Sequence, residues 1–400
     1  MRLFGTDGIR APFGDYPLDQ MTVTHLGYRL AEALTGDSER PAVVIGGDSR
    51  ESTATISRWL ATGLESAGAR VSFAGVVPTP AVARAVLDLR AAAGISVSAS
   101  HNLHPYNGIK LFDREGFKWS PEAEQSLETR ILDQPPPELP AGRELTVDPR
   151  IAEIYLDHLI DQVDGEAPFA GLRIVVDSAN GAATPFAESV FSRLGAEVFA
   201  LGNHPDGRNI NAECGSTAPA AMLSEIDRVG ADLGVAFDGD ADRALIADEQ
   251  GLMHDGDAMM FAWARYLSDR GTLEPPRIVA TSMSNLGLEK ALRRLGIAVV
   301  RCDVGDRTVV ATMREHAIRL GGEQSGHLVD LAASTTGDGL STALQMVSIL
   351  KEFGQPLSRL LFDFRRFPQI LVNVEVASKP ALETLPAVRQ VASEVEEALG

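Results

Sequence analysis

The chain has little that would stitch, export or anchor it. Among 400 residues there are two cysteines, Cys214 and Cys302. Two are too few for a disulfide framework and fit a reducing compartment, where both read as small apolar side chains. The opening Met1-Arg2-Leu3-Phe4-Gly5 has no apolar signal core, and no run approaches the roughly 18 apolar residues that cross a bilayer. Basic residues are outnumbered, 36 Lys and Arg against 55 Asp and Glu, for a formal charge of −19. That balance speaks against a surface tracking nucleic-acid phosphates or an anionic membrane. An anionic substrate therefore needs a local basic pocket. The expectation is a cytoplasmic protein with no nucleic-acid and no membrane partner. P-loop, C-x-x-C, H-E-x-x-H, G-x-G-x-x-G and G-x-S-x-G patterns are all missing, so ATP, zinc, dinucleotide and serine-hydrolase chemistry gain no motif support.

What is there is an ordinary globular mixture, 44% hydrophobic and 23% charged, that repeats in threes. Each unit opens with a β-branched run: Val43-Val44-Ile45, Ile174-Val175-Val176 and Ile278-Val279-Ala280. A turn and a helical stripe follow, such as Ile56, Leu60 and Leu64, or Phe186, Val190 and Leu194. A glycine then ends the helix and introduces a second strand, at Gly68, Gly195 and Gly296. A third strand or turn comes at Gly94-Ile95-Ser96-Val97, Gly234-Val235-Ala236-Phe237 and Leu320-Gly321-Gly322. Strands alternating with helices predict βαβ sheets covered on both faces. The fold class is α/β: three similar mixed-sheet βαβ domains around a central cleft, at about 1–150, 151–250 and 251–365. Residues 134–140, rich in proline, read as a connector. Beyond Phe367, Ile370, Val372, Val374 and Val376 alternate with other residues ahead of a helix reaching Gly400. One strand and one helix do not complete a sheet, so 366–400 is expected to be an incomplete α+β fourth domain.

Ligands in such sheets bind beyond the carboxyl ends of strands, where each repeat carries its most polar loop. Ser98-Ala99-Ser100-His101-Asn102 precedes Asn107-Gly108-Ile109-Lys110. The serine reads either as a nucleophile with His and Lys beside it, or as part of a hydrogen-bonded turn. Only five of the 36 basic residues are lysines, which makes Lys110 in a polar loop less routine. Asp238-Gly239-Asp240-Ala241-Asp242-Arg243 offers three carboxylates at alternate positions, either converging on a hard cation such as Mg²⁺ or Ca²⁺ or forming a solvated acidic turn. An EF-hand fails here, because Arg243 stands where that loop needs Gly and a strand precedes it. Gly321-Gly322-Glu323-Gln324-Ser325-Gly326-His327 could hydrogen-bond sugar hydroxyls, though an ordinary loop could look alike.

Taken in order, these loops resemble the α-D-phosphohexomutases. Phe4-Gly5-Thr6-Asp7-Gly8-Ile9-Arg10, Asn209-Ile210-Asn211-Ala212-Glu213-Cys214-Gly215-Ser216-Thr217, Met283-Ser284-Asn285-Leu286-Gly287-Leu288, Val304-Gly305-Asp306-Arg307 and Thr335-Thr336-Gly337-Asp338-Gly339 add to the likeness. The resemblance implies an isomerase in which Ser100 carries a phosphate. Asp238, Asp240 and Asp242, with an oxygen of phosphorylated Ser100, would hold one Mg²⁺. Lys110 and Arg10 would stabilise the transferring group or move protons, with Arg243 nearby, and His101 would support the loop. Glu323 and Ser325 would grip sugar hydroxyls beside His327. Gln324 implies the branch that turns glucosamine 6-phosphate into glucosamine 1-phosphate through a 1,6-bisphosphate, a supply route to UDP-N-acetylglucosamine and the cell wall. Relatives acting on mannose and glucose phosphates commonly have Met there and remain the alternative. A kinase or a bisphosphate would first charge Ser100, and a homodimer stays open. There are two departures. Leu103 stands where the family has Pro after Ser-His-Asn, with the spacing to Lys110 unchanged. The family's fourth-domain Arg-x-Ser-Gly-Thr-Glu-Pro loop, which clamps the idle phosphate, is absent. A weakly active sugar-phosphate-binding protein is the reading from another class.

Overall fold

A computed structural model describes residues 3–5, 7–36, 40–136, 138, 142–372, 376, 378 and 380–399. They fall into two compact units, Met1–Arg366 and Phe367–Gly400.

The first unit contains three sheets of one design. The first has β1 (Ile9–Pro12), β2 (Ala42–Gly47), β3 (Arg70–Val76), β4 (Ala93–Val97) and β5 (Tyr106–Phe112), in the spatial order β1-β5-β4-β2-β3. Strand β2 runs parallel to β3 and β4, while β5 turns back antiparallel on β4 and β1 on β5. The second has β6 (Arg173–Asp177), β7 (Glu197–Leu201), β8 (Leu233–Phe237), β9 (Ala244–Asp248) and β10 (Met253–His254), ordered β10-β9-β8-β6-β7. The third has β11 (Arg277–Thr281), β12 (Ala298–Cys302), β13 (Leu320–Gly322) and β14 (Leu328–Asp330), ordered β12-β11-β13-β14. In each, two parallel crossovers end in an antiparallel hairpin, β4–β5, β8–β9 or β13–β14. The threefold repeat and the mixed sheets expected from the sequence are therefore present. The polar loops are the tips of these hairpins.

The strand flanked by two parallel neighbours in each sheet is a β-branched run buried on both faces, with Val43–Ile45, Ile174–Val176 and Ile278–Ala280 all at 1% exposure or less. That pattern suits a strand with helices on either side. The helices between strands stop by one device. At Gly68, Gly195 and Gly296 the backbone turns left-handed, and the next residue's N–H reaches back to a carbonyl one turn earlier: Ala69 to Leu64, Ala196 to Phe191 and Ile297 to Leu292. Glycine adopts that conformation without a Cβ clash, so the helix ends and the chain re-enters the sheet.

The repeats are welded by a shared core. Ile151, Tyr155 and Leu159 of the helix Pro149–Ile160 are fully buried. The Tyr155 hydroxyl donates to Asp338 Oδ1 at 2.9 Å. Asp338 also caps the helix Gly339–Phe353 by accepting from Ser341 N–H. Among the described residues no helix is long and apolar enough to cross a membrane.

In the second unit, Leu382–Thr384 form a 3-10 turn and Pro386–Leu399 a helix, as the sequence suggested. Of the run expected to be a strand, residues 370–372 and 376 are not in one, and 373–375 lie outside the described residues. Alternation makes a strand only where a partner supplies the ladder, and Ile370, Leu371 and Val372 are exposed. The connector at 134–140 also lies partly outside the described residues.

Candidate active site

Ser100 occupies the β4–β5 turn with its side chain fully buried and its backbone left-handed at φ +52°. For a residue other than glycine that conformation costs about 1–3 kcal/mol and persists only where neighbours enforce it. Here they do. Arg50 donates to the carbonyls of Ser100, Asn102 and Leu103 at 3.0, 2.8 and 2.7 Å. Asn211, reaching over from the second repeat, donates to Ser100 and Asn102, both at 2.9 Å. Arg50 is itself held by Asp48, Nε to Oδ2 at 2.8 Å with both side chains fully buried, and Asp48 also accepts the Ser98 hydroxyl at 2.5 Å. At Leu103, where the family has Pro, the loop uses the carbonyl and leaves the side chain exposed. His101, expected to support the loop, is exposed and makes no hydrogen bond among the described residues; Arg50 and Asn211 take that part. Desolvation, then the charges of Arg243 and Arg10, hold the His101 ring below its ordinary pKa.

The Ser100 hydroxyl donates to Asp238 Oδ2 at 2.5 Å. Asp238, Asp240 and Asp242 line the tip of the β8–β9 hairpin, all buried, with one oxygen from each within 4.8 Å of the others. Lys110, whose backbone pairs with Ser96 across β4–β5, sends a fully buried ammonium to Asp240 Oδ2 at 2.7 Å and Asp242 Oδ2 at 2.9 Å. Thr79 donates to the same Asp240 oxygen at 2.7 Å. The remaining oxygens, Asp240 Oδ1 and Asp242 Oδ1, are buried with no hydrogen-bond partner among the described residues. Burial, then repulsion from Asp242 and Asp240, holds the Asp238 carboxyl well above the usual range. Burial alone would raise Asp242 too, but the charges of Lys110 and Arg243 bring it below that range. Three buried, oxygen-only donors with two orphaned oxygens fit a hard divalent cation such as Mg²⁺. Arg243 closes the hairpin by donating its backbone N–H to Asp238 at 3.2 Å, with its Nε 3.7 Å from Asp242.

Glu323, Gln324, Ser325 and His327 form the tip of β13–β14. This tip touches the β8–β9 hairpin, since Ala244 N–H donates to the Gly326 carbonyl at 3.2 Å. Glu323 is buried and accepts from Gly305 N–H at 3.1 Å. Ser325 is exposed, and Gln324 is half-buried with its Nε2 3.3 Å from Asp257 Oδ2. His327 is buried, Nε2 accepting from Gly337 N–H at 3.2 Å and Nδ1 with no hydrogen-bond partner among the described residues.

The structure adds residues to those read from sequence. Asp7 is a hub: one oxygen takes Arg10 at 2.6 Å and lies 3.7 Å from Lys110, while the other takes Lys118 at 2.7 Å. Lys118 continues to Asp306 of the third repeat, and Asp306 lies 3.7 Å from His327. Burial would raise Asp306, yet Lys118 brings its pKa down to about 2. Beside this chain of charges Arg307 forks onto Glu124, again joining the third repeat to the first. Sequence scarcity pointed to Lys110. Lys118, from the same short supply, was passed over.

Family models for phosphoglucomutase/phosphomannomutase match all three repeats: alpha/beta/alpha domain I over 1–136, domain II over 153–251 and domain III over 255–367. A phosphoglucosamine mutase from Anaeromyxobacter dehalogenans is 43% identical, covering 100% of the chain and 90% of the relative. One from Geobacillus thermodenitrificans is 42% identical, covering 99% and 88%. Among solved structures, a phosphoglucomutase/phosphomannomutase family protein from Burkholderia thailandensis superposes with a TM-score of 0.79 at 28% identity, over 91% of the chain and 80% of that protein.

Proposed function

The chain belongs to the phosphoglucomutase/phosphomannomutase family of α-D-phosphohexomutases, and from that premise we propose that Ser100 is its phosphoryl carrier. The enzyme is an isomerase, and its activity is that of a phosphoglucosamine mutase, interconverting glucosamine 6-phosphate and glucosamine 1-phosphate. The observation that carries the proposed site is the Ser100 hydroxyl 2.5 Å from Asp238, inside a buried cluster of three carboxylates and a lysine.

In the first half-reaction the Ser100–phosphoryl bond breaks as a substrate hydroxyl bonds to phosphorus, the hydroxyl's proton ending on Ser100 Oγ, giving glucosamine 1,6-bisphosphate and free serine. In the second, the other phosphoryl group returns to Ser100. Asp238, Asp240 and Asp242 would hold Mg²⁺, which when bound neutralises charge on the transferring group. Arg50 and Asn211 fix the loop so that Oγ is presented at one angle, which matters because positioning supplies most of this catalysis. Lys110 and Arg10 bring positive charge to the phosphoryl oxygens, and Arg243 sits beside them. Glu323 and Ser325 would hold sugar hydroxyls from the third repeat, with His327 behind them. We assign 1–150 to the phosphoserine loop, 151–250 to the metal loop, 251–365 to the sugar loop and 366–400 to a separate C-terminal unit. A bisphosphate or a kinase would load Ser100, and we place the enzyme in the cytoplasm.

Intact mass with peptide mapping of active enzyme should find one phosphate, on Ser100, and Ser100→Ala should abolish turnover. Phosphate on Ser98, with Ser100→Ala still active, would overturn the assignment. The ratio of kcat/KM for glucosamine over glucose and mannose phosphates tests the substrate.

A further inference from the structure

One buried acid behind the sugar loop is not used by the mechanism above. Asp257 lies in the first turn of the helix Gly256–Asp269 and is fully buried. That turn is pressed against the loop: Gly256 N–H donates to the Gln324 carbonyl at 3.0 Å, and a Cβ on Gly256 would stand 2.0 Å from the Glu323 carbonyl oxygen. Asp257 Oδ2 accepts the Asn285 backbone N–H at 2.6 Å and the Gln324 side-chain amide at 3.3 Å. Its other oxygen is buried with no hydrogen-bond partner among the described residues.

A carboxylate only accepts, so it takes the NH₂ end of the Gln324 amide and leaves the oxygen end, which has no partner among the described residues. The same loop carries Glu323 and Ser325. We propose that Asp257 is a specificity-determining positioning residue, which fixes the Gln324 amide so that an acceptor faces the 2-ammonium group of a hexosamine phosphate. This rests on the glucosamine reading above. An ammonium is a donor-only cation, whereas a hydroxyl both donates and accepts. A charge-assisted bond to the amide oxygen favours the ammonium, and an anion one hydrogen bond behind polarises that amide further. Burial pushes the Asp257 carboxyl up to about 6, so it is ionised at neutral pH.

The test is kcat/KM of the phosphorylated full chain for glucosamine 6-phosphate and glucose 6-phosphate. Asp257→Asn keeps one oxygen for the Asn285 N–H and the Gln324 amide, but removes the charge, so the amide loses its charge-assisted anchor and the anion behind it. The glucosamine-to-glucose ratio should fall about tenfold, the order of one charge-assisted hydrogen bond. Gln324→Met should lower the ratio similarly, and adding Asp257→Asn to it should change the ratio no further. A loosened loop would instead slow both sugars alike. Parallel losses with the ratio intact, or an undiminished effect in the Gln324→Met background, overturn the role of Asp257. If Asp257→Asn shows no cooperative unfolding transition, Asp257→Ser, also uncharged and able to accept from Asn285, takes its place with the same expected ratio. A wild-type ratio near one removes the glucosamine reading and this inference with it. A high wild-type ratio unmoved by Asp257→Asn removes only the inference.

Discussion

Lys118→Met is expected to destabilise the enzyme because of what it leaves behind. The ammonium is shared by Asp7 and Asp306 and is nearly inaccessible, at 5% side-chain exposure. Asp7 keeps Arg10 at 2.6 Å, so Asp306 bears the loss. Removing one partner of a buried pair costs about 3–5 kcal/mol, because the remaining charge has neither counterion nor water. The lowering of Asp306 from 3.8 to about 2 gives a similar figure for the wild-type environment, about 2 kcal/mol at 1.36 kcal/mol per tenfold change. A loss of about 3 kcal/mol should lower Tm at pH 7 by roughly 4 °C. The sign with pH separates this from lost packing. In the wild type the folded pKa of Asp306 is depressed, so its contribution is present above about 4 and fades as pH falls toward 2. In Lys118→Met burial raises that pKa above its unfolded value, so the folded state gains protons and recovers stability as pH drops from 7 toward 5. Adding Asp306→Asn should restore part of the loss, although the double variant has fewer polar groups to pair. Thermal unfolding at pH 5 and 7 measures all three proteins. A double variant less stable than Lys118→Met, or a gap from wild type unchanged with pH, would refute the reasoning.

Arg50→Met frees three carbonyls of the Ser100 loop and is expected to lower kcat on the order of 10²-fold with Mg²⁺ affinity by calorimetry unchanged; a folded variant with wild-type kcat would contradict it. Asp240→Ala should weaken Mg²⁺ binding and phosphoryl transfer together, and full activity in chelator-treated buffer would remove the metal assignment. Gly337→Ala puts a Cβ 2.3 Å from His327 Nε2, so the ring must swing off the Gly337 N–H. A stability loss of about 1–3 kcal/mol is expected, with reduced kcat/KM, and an unmoved Tm would show that the ring has room.

The fold was legible where one residue type does one job. Gly68, Gly195 and Gly296 mark the end of the first crossover helix in every repeat because each stands at a left-handed position. The second crossover ends in the same way, at Arg90, Gly230 and Ala317, with Ala91 N–H reaching Val86, Ala231 reaching Ile226 and Ile318 reaching Met313. Two of those three positions are not glycine. Nothing in the sequence announces the turn there, although both residues are exposed. The antiparallel return strands of the expected mixed sheets carry no such mark of position, for a related reason. In Tyr106–Phe112 every residue after Tyr106 is buried, so the run carries no alternation, and its polar members Asn107 and Lys110 read as loop.

The site divides along the same line. Ser100, Asp238, Asp240 and Asp242 were readable because unusual polar runs follow apolar strands, and the hairpins then carry them to one point, Ser100 Oγ on Asp238 and Lys110 on Asp240 and Asp242. The residues that hold this arrangement are charged groups far apart in the chain, each ordinary alone: Asp48 with Arg50, Asp7 with Lys118 and Asp306, Glu124 with Arg307. A charge run says nothing of burial, and burial is what makes these pairs specific rather than solvated. Only composition offered a way in. With five lysines in 400 residues, the weighting given to Lys110 applied equally to Lys118, eight positions later. The two ammoniums both reach Asp7, at 3.7 and 2.7 Å. The Ser100 loop and the β13–β14 tip are therefore tied through Asp7, Lys118 and Asp306, and a change at either lysine should be felt at both.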